Sequence, residues 1–503
     1  MKKSLLPTLR DFAFLTPVLF LFGRMNGARG LLGDADTGWH IRTGEWILEH
    51  HAVPTKDIFS FTRPGAPWYA WEWLADILMA LAHRAGGLPA VVFGSLLLLC
   101  GISLFLFRFI LRRCGSPGLA WVLTLVASAG SSLHWLARPH LFSLLFVLVF
   151  YDALDSWPRQ RLWLLPLLMV LWTNLHGGFF LGIVLLGTFA TGQWLHAALA
   201  LPESRPEYLR LGCLYALLAV ACFAASFLNP YTWQLHRHLF DYLTHPGYFQ
   251  DIQEFAPLSL THPLARFYET MLLLSAGTVF WCFRRQRYAE ALMLLMWLHL
   301  ALLASRNVPI FFLLSAVPVS LALAEGLNRV KNAAQVSWLQ RLVALGEHIG
   351  ELLARTGMQP GWPVFSVLVV VLVGWGMLTP APAAVFESSF DPAVYPTKAL
   401  AHLRSSDPVF ADDEWGDYLI YSTQPTRKVF IDGRSDFYGV EFEVKYQDIL
   451  HARNQWQTTL RDYQVDTVLA RPKTSLATAL AESREWRPDY HDTVVQVFRR
   501  IQP

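Results

Sequence analysis

Apolar residues along the first three quarters of the chain come in long runs rather than in strict alternation. Crossing about 30 Å of hydrocarbon takes roughly 20 helical residues. Runs approaching that length recur at 11–24, 88–111, 118–134, 140–155, 161–175, 178–199, 210–228, 266–283, 288–304, 308–325 and 362–380. They predict about eleven membrane-spanning helices. Several are short for a perpendicular crossing, which fits helices that end inside a cavity. Met1, Lys2, Lys3 and the apolar stretch after them imitate a signal peptide. Arg24 to Gly30 offers no small-x-small cleavage site, so this run reads as the first helix.

Polar segments interrupt the pattern at three places. The first loop, 25–87, contains two amphipathic pieces, Ile41 to His51 and Trp73 to Arg84, accompanied by Trp39, Trp46, Trp68 and Trp71. Tryptophan favours the headgroup level, so both pieces are expected to lie along the outer interface. The alternative, that the second piece crosses, would invert every later helix. A second loop, 326–360, carries Trp338, Leu339, Leu342, Val343, Leu345 and Leu352 in a mixed helix, expected either on the cytoplasmic surface or packed on the bundle. The tail, 381–503, alternates short apolar runs with helical stretches. Pro408 to Ala411, Lys428 to Ile431, Thr467 to Leu469 and Thr493 to Phe498 read as strands, and 440–463 and 474–483 as helices. The chain thus divides into a transmembrane part, 1–380, and a small C-terminal α/β domain with a partly parallel sheet, 381–503.

Composition agrees with this division. Of 503 residues, 54% are hydrophobic and 16% charged, against roughly 25% charged in a soluble domain. The net charge of +3 does not point to nucleic acid, because the basic residues form no patch. They sit in short turns: Lys2 and Lys3, Arg112 and Arg113, Arg159 and Arg161, Arg205 and Arg210, Arg284, Arg285 and Arg287, then Arg329 and Lys331. If these turns are cytoplasmic, every second loop obeys the positive-inside rule. The amino terminus is then inside, and an odd helix count leaves the tail outside an inner, cytoplasmic membrane. The five cysteines lie in or beside helices and imply no disulfide framework.

With that topology, the outer helix ends gather Asp34, Asp36 and His40, then Glu72, then His134, Arg138 and His140, then Asn174 and His176, then Asn229 and Tyr231, then Arg306 and Asn307. A charge at the bilayer centre costs roughly 2.5–3.5 kcal/mol on insertion scales, so a cluster at helix ends favours an interfacial site over a midplane ion path. Its sharpest part is Gly33-Asp34-Ala35-Asp36-Thr37-Gly38-Trp39-His40. In extended backbone, residues two apart share a side, so Asp34 and Asp36 can hold a divalent cation such as Mg or Mn, or divide base and binding roles. In the alternative reading, Asp36 or Thr37 caps a helix starting near Trp39 and Asp34 is merely solvated.

The segment from Gly33 to Ala82 resembles the first outer loop of bacterial membrane glycosyltransferases of the GT-C superfamily. Further stretches are similar: 137–146 (ARPHLFSLLF), 174–182 (NLHGGFFLG), 227–233 (FLNPYTW), 305–311 (SRNVPIF) and 429–439 (VFIDGRSDFYG). The resemblance implies a polyprenyl-phosphate-linked sugar as donor, and a glycan, lipid or protein acceptor at the outer face of the lipid bilayer. It also implies inverting transfer with Asp34 or Asp36 as base, Asp36 being preferred. Gly38 departs from the aromatic residue expected there. No second acidic pair appears in a later loop, so a metal is not implied.

Chemistry assigns the remaining roles. Negative charge developing on the leaving phosphate calls for a positioned cation. Arg306 is the first choice and Arg138 the second; the alternative for each is a snorkelling anchor. His40, His176 and Asn174 are candidates for binding sugar hydroxyls or phosphate, against satisfied interface side chains. Glu72 is a second carboxylate or an ordinary helix-start glutamate. In the tail, 412–421 (DDEWGDYLIY) resembles the tryptophan-aspartate-tyrosine signature of oligosaccharyltransferases, with Gly416 placed ahead of Asp417, and reads as a loop or helix start. Asp432, Gly433, Arg434 and Asp436 follow a predicted strand, either as a binding loop or as an internal Asp-Arg pair. A non-catalytic alternative is a transporter, flippase or scaffold for lipid-linked envelope intermediates. Repeated halves and midplane polar residues would mark a transporter, and neither is visible.

Overall fold

The computed structural model describes residues 7–244, 253–332, 341, 345, 346, 348, 363–380, 382–404 and 407–501. Each of the eleven apolar runs contains a helix. In chain order these are α1 (Leu9–Gly23), α3 (Trp73–Cys114), α4 (Pro117–Ser131), α5 (His140–Ser156), α6 (Leu165–Leu175), α7 (Phe180–Leu199), α8 (Arg205–Ala225), α10 (Ala265–Arg284), α11 (Tyr288–Leu303), α12 (Val308–Asn332) and α13 (Val364–Leu378). By length and composition, four helical stretches among the described residues are sufficient to cross a membrane: Trp73–Cys114, Gly177–Leu199, Arg205–Ala225 and Ser305–Asn332. The others are shorter or more polar than a full span.

Local signals explain the helix limits. Thr8 accepts the backbone N–H of Asp11 while Asp11 accepts that of Thr8, a reciprocal cap that starts α1. Asp11 also accepts the Ser366 hydroxyl at 2.5 Å, tying α1 to α13. Ser116 and Pro117 open α4 in the same spirit. The two expected pieces at 73–84 and 88–111 join into one long helix. It is kinked at Gly86 and Gly87, the latter at φ +65° where a side chain would be strained.

Two helices of this half were not both expected. The amphipathic piece of the first loop forms α2 (Asp36–His50), which lies against α3. The second, α9 (Trp233–Thr244), buries Leu235 and Leu239 on one face and was not anticipated. Its apolar residues stand four apart, but it is too polar to register as a span. Of the expected helix in the second loop, Trp338, Leu339, Leu342, Val343 and Leu352 lie outside the described residues.

The tail carries a four-stranded sheet in the order β1-β2-β4-β3, with β1 (Val409–Phe410), β2 (Thr467–Ala470), β3 (Trp486–His491) and β4 (Gln496–Arg500). β1 and β2 are parallel, the other pairs antiparallel. β3 escaped the sequence pattern because its middle is exposed and polar and contains Pro488, as suits an edge. The expected strand at Lys428 to Ile431 is reduced to bridges at Val429, which pairs with Val409 on one side and Ser60 on the other. The backbone then turns away at Asp432. The expected helix 440–463 is two, Val440–Leu450 and Trp456–Asp462, separated by left-handed Ala452 and Asn454.

The tail rests on the first loop. Phe61 N–H donates to the Val429 carbonyl and Val429 N–H to that of Phe59, at 3.0 and 2.9 Å. Arg434 extends into Asp57 of that loop at 2.8 Å. Arg42 on α2 donates to the Tyr421 carbonyl. Gly38 acquires a reason here: a Cβ on it would stand 2.6 Å from Tyr421 Cβ and 3.2 Å from the Asp417 carbonyl oxygen. An aromatic residue at 38 would push the tail helix Asp413–Thr423 off α2.

Candidate functional site

Between the helix ends, the first loop and the tail lies a cavity of about 920 Å³, lined by residues from all three. Asp34 and Asp36 enter it at the start of α2. Asp34 is not free in solvent, because its Oδ1 accepts the Asp36 N–H at 3.2 Å. Neither Asp36 nor Thr37 caps α2 through its side chain; Ala35 occupies that position, and the Thr37 hydroxyl donates to the Ala137 carbonyl. The local arrangement thus leaves both carboxylates turned toward Arg138, at the Pro139 start of α5. Its Nη1 lies 2.8 Å from Asp34 Oδ2 and its Nη2 2.5 Å from Asp36 Oδ2.

A fourth ionisable group completes this corner, and it comes from the tail. Asp412 caps the helix Asp413–Thr423, and one turn later Asp417 is buried. Its Oδ1 accepts the Gly433 N–H at 3.0 Å. A Cβ on Gly433 would be 2.5 Å from Asp36 Oδ1 and 2.7 Å from Asp417 Oδ2, so the two carboxyl groups close over a space only glycine leaves open. Burial raises the Asp417 pKa well above the carboxylate range, and the neighbouring Asp36 and Asp432 raise it further. Asp34 is pushed up to about 6 by burial, with Arg138 opposing and Asp36 assisting. The two aspartates more than offset the burial of Arg138, and its pKa is raised.

Glu72 forms a second corner. It is buried just before α3, between His40 Nε2 at 3.9 Å and His176 Nε2 at 3.4 Å. Burial drives Glu72 up to about 8 and both histidines well below their ordinary value. Those contacts therefore join neutral groups near pH 7 rather than ion pairs, despite their charge-compatible chemistry. His176 Nδ1 is 2.7 Å from the Ser143 hydroxyl, which also accepts from Trp172 Nε1. Arg306 forms a third corner, with Nη1 3.4 Å from Glu254 and its guanidinium 4.2 Å from the Phe255 ring centre.

Of the residues singled out in the sequence, Asp34, Asp36, Glu72, His134, Arg138, His140, His176, Arg306 and Asn307 line the cavity together, as do Gly433, Arg434 and Asp436 of the tail. His40, Asn174, Asn229, Tyr231 and Asp432 do not. His40 is buried behind Glu72, with Nδ1 2.7 Å from Asp76. Asn174 accepts from Trp73 Nε1 and donates to the carbonyls of Val170 and Leu228. Its hydrogen-bonding capacity is committed to holding helices together. The Asp432 and Arg434 side chains likewise pair internally, with Nε and Nη2 each 2.7 Å from a carboxylate oxygen, in line with the plainer of the two readings. Asp417 joins the cavity lining from the tail without standing out in the sequence as a site residue. Its signal was the reordered tryptophan-aspartate-tyrosine stretch.

Arg138 stands where a divalent cation shared by Asp34 and Asp36 would sit. Arg138 already takes one oxygen of each, and a backbone N–H takes the other oxygen of Asp34. Among the described residues, no group of three His, Cys, Asp or Glu side chains is placed to hold a metal.

No protein-family model and no curated protein matches the chain. Among solved structures, the archaeal oligosaccharyltransferase AglB from Archaeoglobus fulgidus, in complex with an inhibitory peptide and a dolichol-phosphate, superposes with a TM-score of 0.57. The alignment covers 92% of this chain and 69% of that one at 12% identity. The fold is similar to that of AglB. At that identity the likeness establishes architecture: a mostly helical, membrane-type body with apolar helices and a small C-terminal sheet.

Proposed function

We propose that the chain is a membrane glycosyltransferase that moves a sugar from a polyprenyl-phosphate-linked donor to an acceptor at the face where the cavity opens. The observation that carries the reading is the convergence of Asp36, from the first loop, with a cationic side chain, Arg306, in one cavity of about 920 Å³. The solved AglB structure, which contains a dolichol-phosphate, supports a lipid-phosphate donor for a chain of this architecture.

In this reading Asp36 takes the proton of the acceptor group as that group attacks the anomeric carbon. The bond from that carbon to the phosphate oxygen breaks, its electron pair stays on the phosphate, and the sugar inverts. Arg306 faces the charge that appears on the phosphate. His176 and the protonated Glu72 offer hydrogen bonds to sugar hydroxyls, in a wall whose histidine is held by Ser143. Wall residues Trp39, Trp68 and Trp71 provide flat apolar surface for a sugar ring.

The same proposal includes the topology. The turns holding Arg112, Arg113, Arg159, Arg285 and Arg287 lie at the cytoplasmic face of an inner membrane, about eleven helices span it, and residues 381–503 form an extracytoplasmic domain.

The test uses the purified full chain in lipid nanodiscs, with radiolabelled polyprenyl-phosphate sugars and a panel of lipid, glycan and peptide acceptors. Labelled product that Asp36→Asn sharply reduces is the expected outcome. Equal product from wild type, Asp36→Asn and Asp34→Asn would remove the catalytic assignment. Passage of labelled lipid across proteoliposomes without any transfer product would favour a flippase.

A further inference from the structure

We infer that Arg138 is a built-in cation that replaces a divalent metal at the acidic corner of the cavity, organising Asp34 and Asp36 and excluding metal from between them. This deepens the glycosyltransferase reading and rests on it only for the statement that the corner serves transfer.

Asp34 Oδ1 is occupied by the Asp36 N–H and Oδ2 by Arg138 Nη1; Asp36 Oδ2 is occupied by Arg138 Nη2. Asp36 Oδ1 and Asp417 Oδ2 converge beside Gly433, 2.5 and 2.7 Å from where its Cβ would stand. Two carboxylate oxygens are enough for a Mg²⁺ whose other ligands are water and phosphate, so what excludes the metal is the guanidinium, which stands between the aspartates and repels a second cation. A planar guanidinium also fits this place better than an ammonium would, since two nitrogens of one rigid fork each meet a different carboxylate. Arg138 is fixed for that task. Its backbone N–H donates to the Leu136 carbonyl, the preceding Ala137 N–H donates to the Leu31 carbonyl, and Pro139 and α5 follow directly. Ala137 O accepts the Thr37 hydroxyl, so the segment carrying Arg138 is bonded to the segment carrying the aspartates on both sides of the ion pairs. Arg138 is thus a positioning residue: it sets the direction of the Asp36 carboxylate, leaving Oδ1 toward the cavity and Asp417.

The test separates this claim from the transfer reaction by measuring metal directly. Mn²⁺ is titrated into the full chain in nanodiscs and the free ion is followed by electron paramagnetic resonance. Wild type is expected to bind no more Mn²⁺ than Asp36→Asn does. Arg138→Ala is expected to gain about one bound Mn²⁺ per chain, lost again in Arg138→Ala with Asp36→Asn. Arg138→Lys, which keeps the charge, is expected to stay metal-free. Wild-type protein that binds one Mn²⁺ per chain in an Asp36-dependent manner would overturn the inference, whether or not the alanine variant folds. In the transfer assay, product formation that survives excess EDTA supports it. Loss of product on chelation with recovery on adding Mn²⁺ overturns it. A chain that transfers no sugar at all would defeat the glycosyltransferase reading and leave the metal titration to decide this one.

Discussion

The Arg138 and Arg306 corners of the cavity hold their cations in opposite ways. Arg138 is spent within the protein, with two carboxylates at 2.8 and 2.5 Å. Arg306 meets one carboxylate oxygen at 3.4 Å and lies over a ring, with its side chain about a third exposed. Bidentate or doubly paired guanidinium groups are positioned tightly and give up little to a newcomer, whereas a loosely paired one can turn to an incoming anion. The same residue type, on the proposed chemistry, serves as scaffold at Arg138 and as ligand-binding charge at Arg306. On the proposed chemistry, the acceptor is deprotonated at the Arg138 corner and the phosphate departs at the Arg306 corner.

The largest effect expected from breaking this contrast is at Asp36. Asp36→Asn removes the proposed base while keeping shape, and should lower initial transfer rates by about 10³-fold, within the range general-base removal produces. Asp34→Asn, which leaves Arg138 its Asp36 contact, should cost less. Comparable losses in the two variants would mean that the pair acts as one unit and that Asp36 has no special role. Next comes Arg306→Ala, expected to reduce kcat/KM by about 10²-fold, as loss of one transition-state charge contact does. Arg306→Lys should recover part of that rate, since a point charge suffices for phosphate. An Arg306→Ala enzyme with unaltered kcat/KM would shift the phosphate to another part of the wall.

How much of this could be read beforehand depends on how far each signal reaches along the chain. Helices were legible because 3.6-residue packing in an apolar medium writes itself as runs, and α1, α5 and α11 lie within a few residues of the expected positions. The aspartates after α1 were legible for a local reason: the spacing of Asp34 and Asp36 is itself the motif. Asp417 was not, because its proximity to Asp36 depends on a contact across 381 positions in sequence, made only when the tail docks on α2. Gly38 carried that information in disguise. It departs from the aromatic residue expected there because the tail helix needs the space. Asn174 and His40 misled for the converse reason, since a polar residue at a helix end looks alike whether it faces a cavity or a neighbouring backbone.

A smaller effect tests the Asp36–Asp417 closure. Gly433→Ala places a methyl group 2.5 Å from Asp36 Oδ1 and 2.7 Å from Asp417 Oδ2, closer than real contacts allow. The carboxyl groups must part by several tenths of an ångström, at an overpacking cost on the order of 1–3 kcal/mol. Transfer should fall about tenfold, with the fold retained in far-ultraviolet circular dichroism. Wild-type rates in Gly433→Ala would show that the closure has no part in transfer.

The smallest effect concerns stability, and it separates the Glu72 corner from both arginine corners, because among the described residues Glu72 has only histidines as close ion-pair partners, Arg138 acting on it from a distance. Its pKa is raised by burial from an ordinary 4.5 to about 8. Between those values the folded chain holds a proton that the unfolded chain releases. Unfolding then sheds protons, so stability falls as pH rises across the window. The contribution is complete below pH 4.5 and gone above about 8. Glutamine reproduces the protonated carboxyl group and does not titrate. Glu72→Gln should therefore match wild type near pH 4.5 and exceed it at pH 8, by a margin on the order of a few kcal/mol at most. Asp34, also raised, titrates in part of the same window but is present in both proteins and cancels in the difference. Thermal unfolding in nanodiscs at stepped pH measures the gap. A gap that stays constant from pH 4.5 to 8 would mean that Glu72 is ionised in the folded state, with His176 protonated as its partner at 3.4 Å. The corner would then be a third ion pair and no longer the neutral wall on which the sugar is proposed to rest.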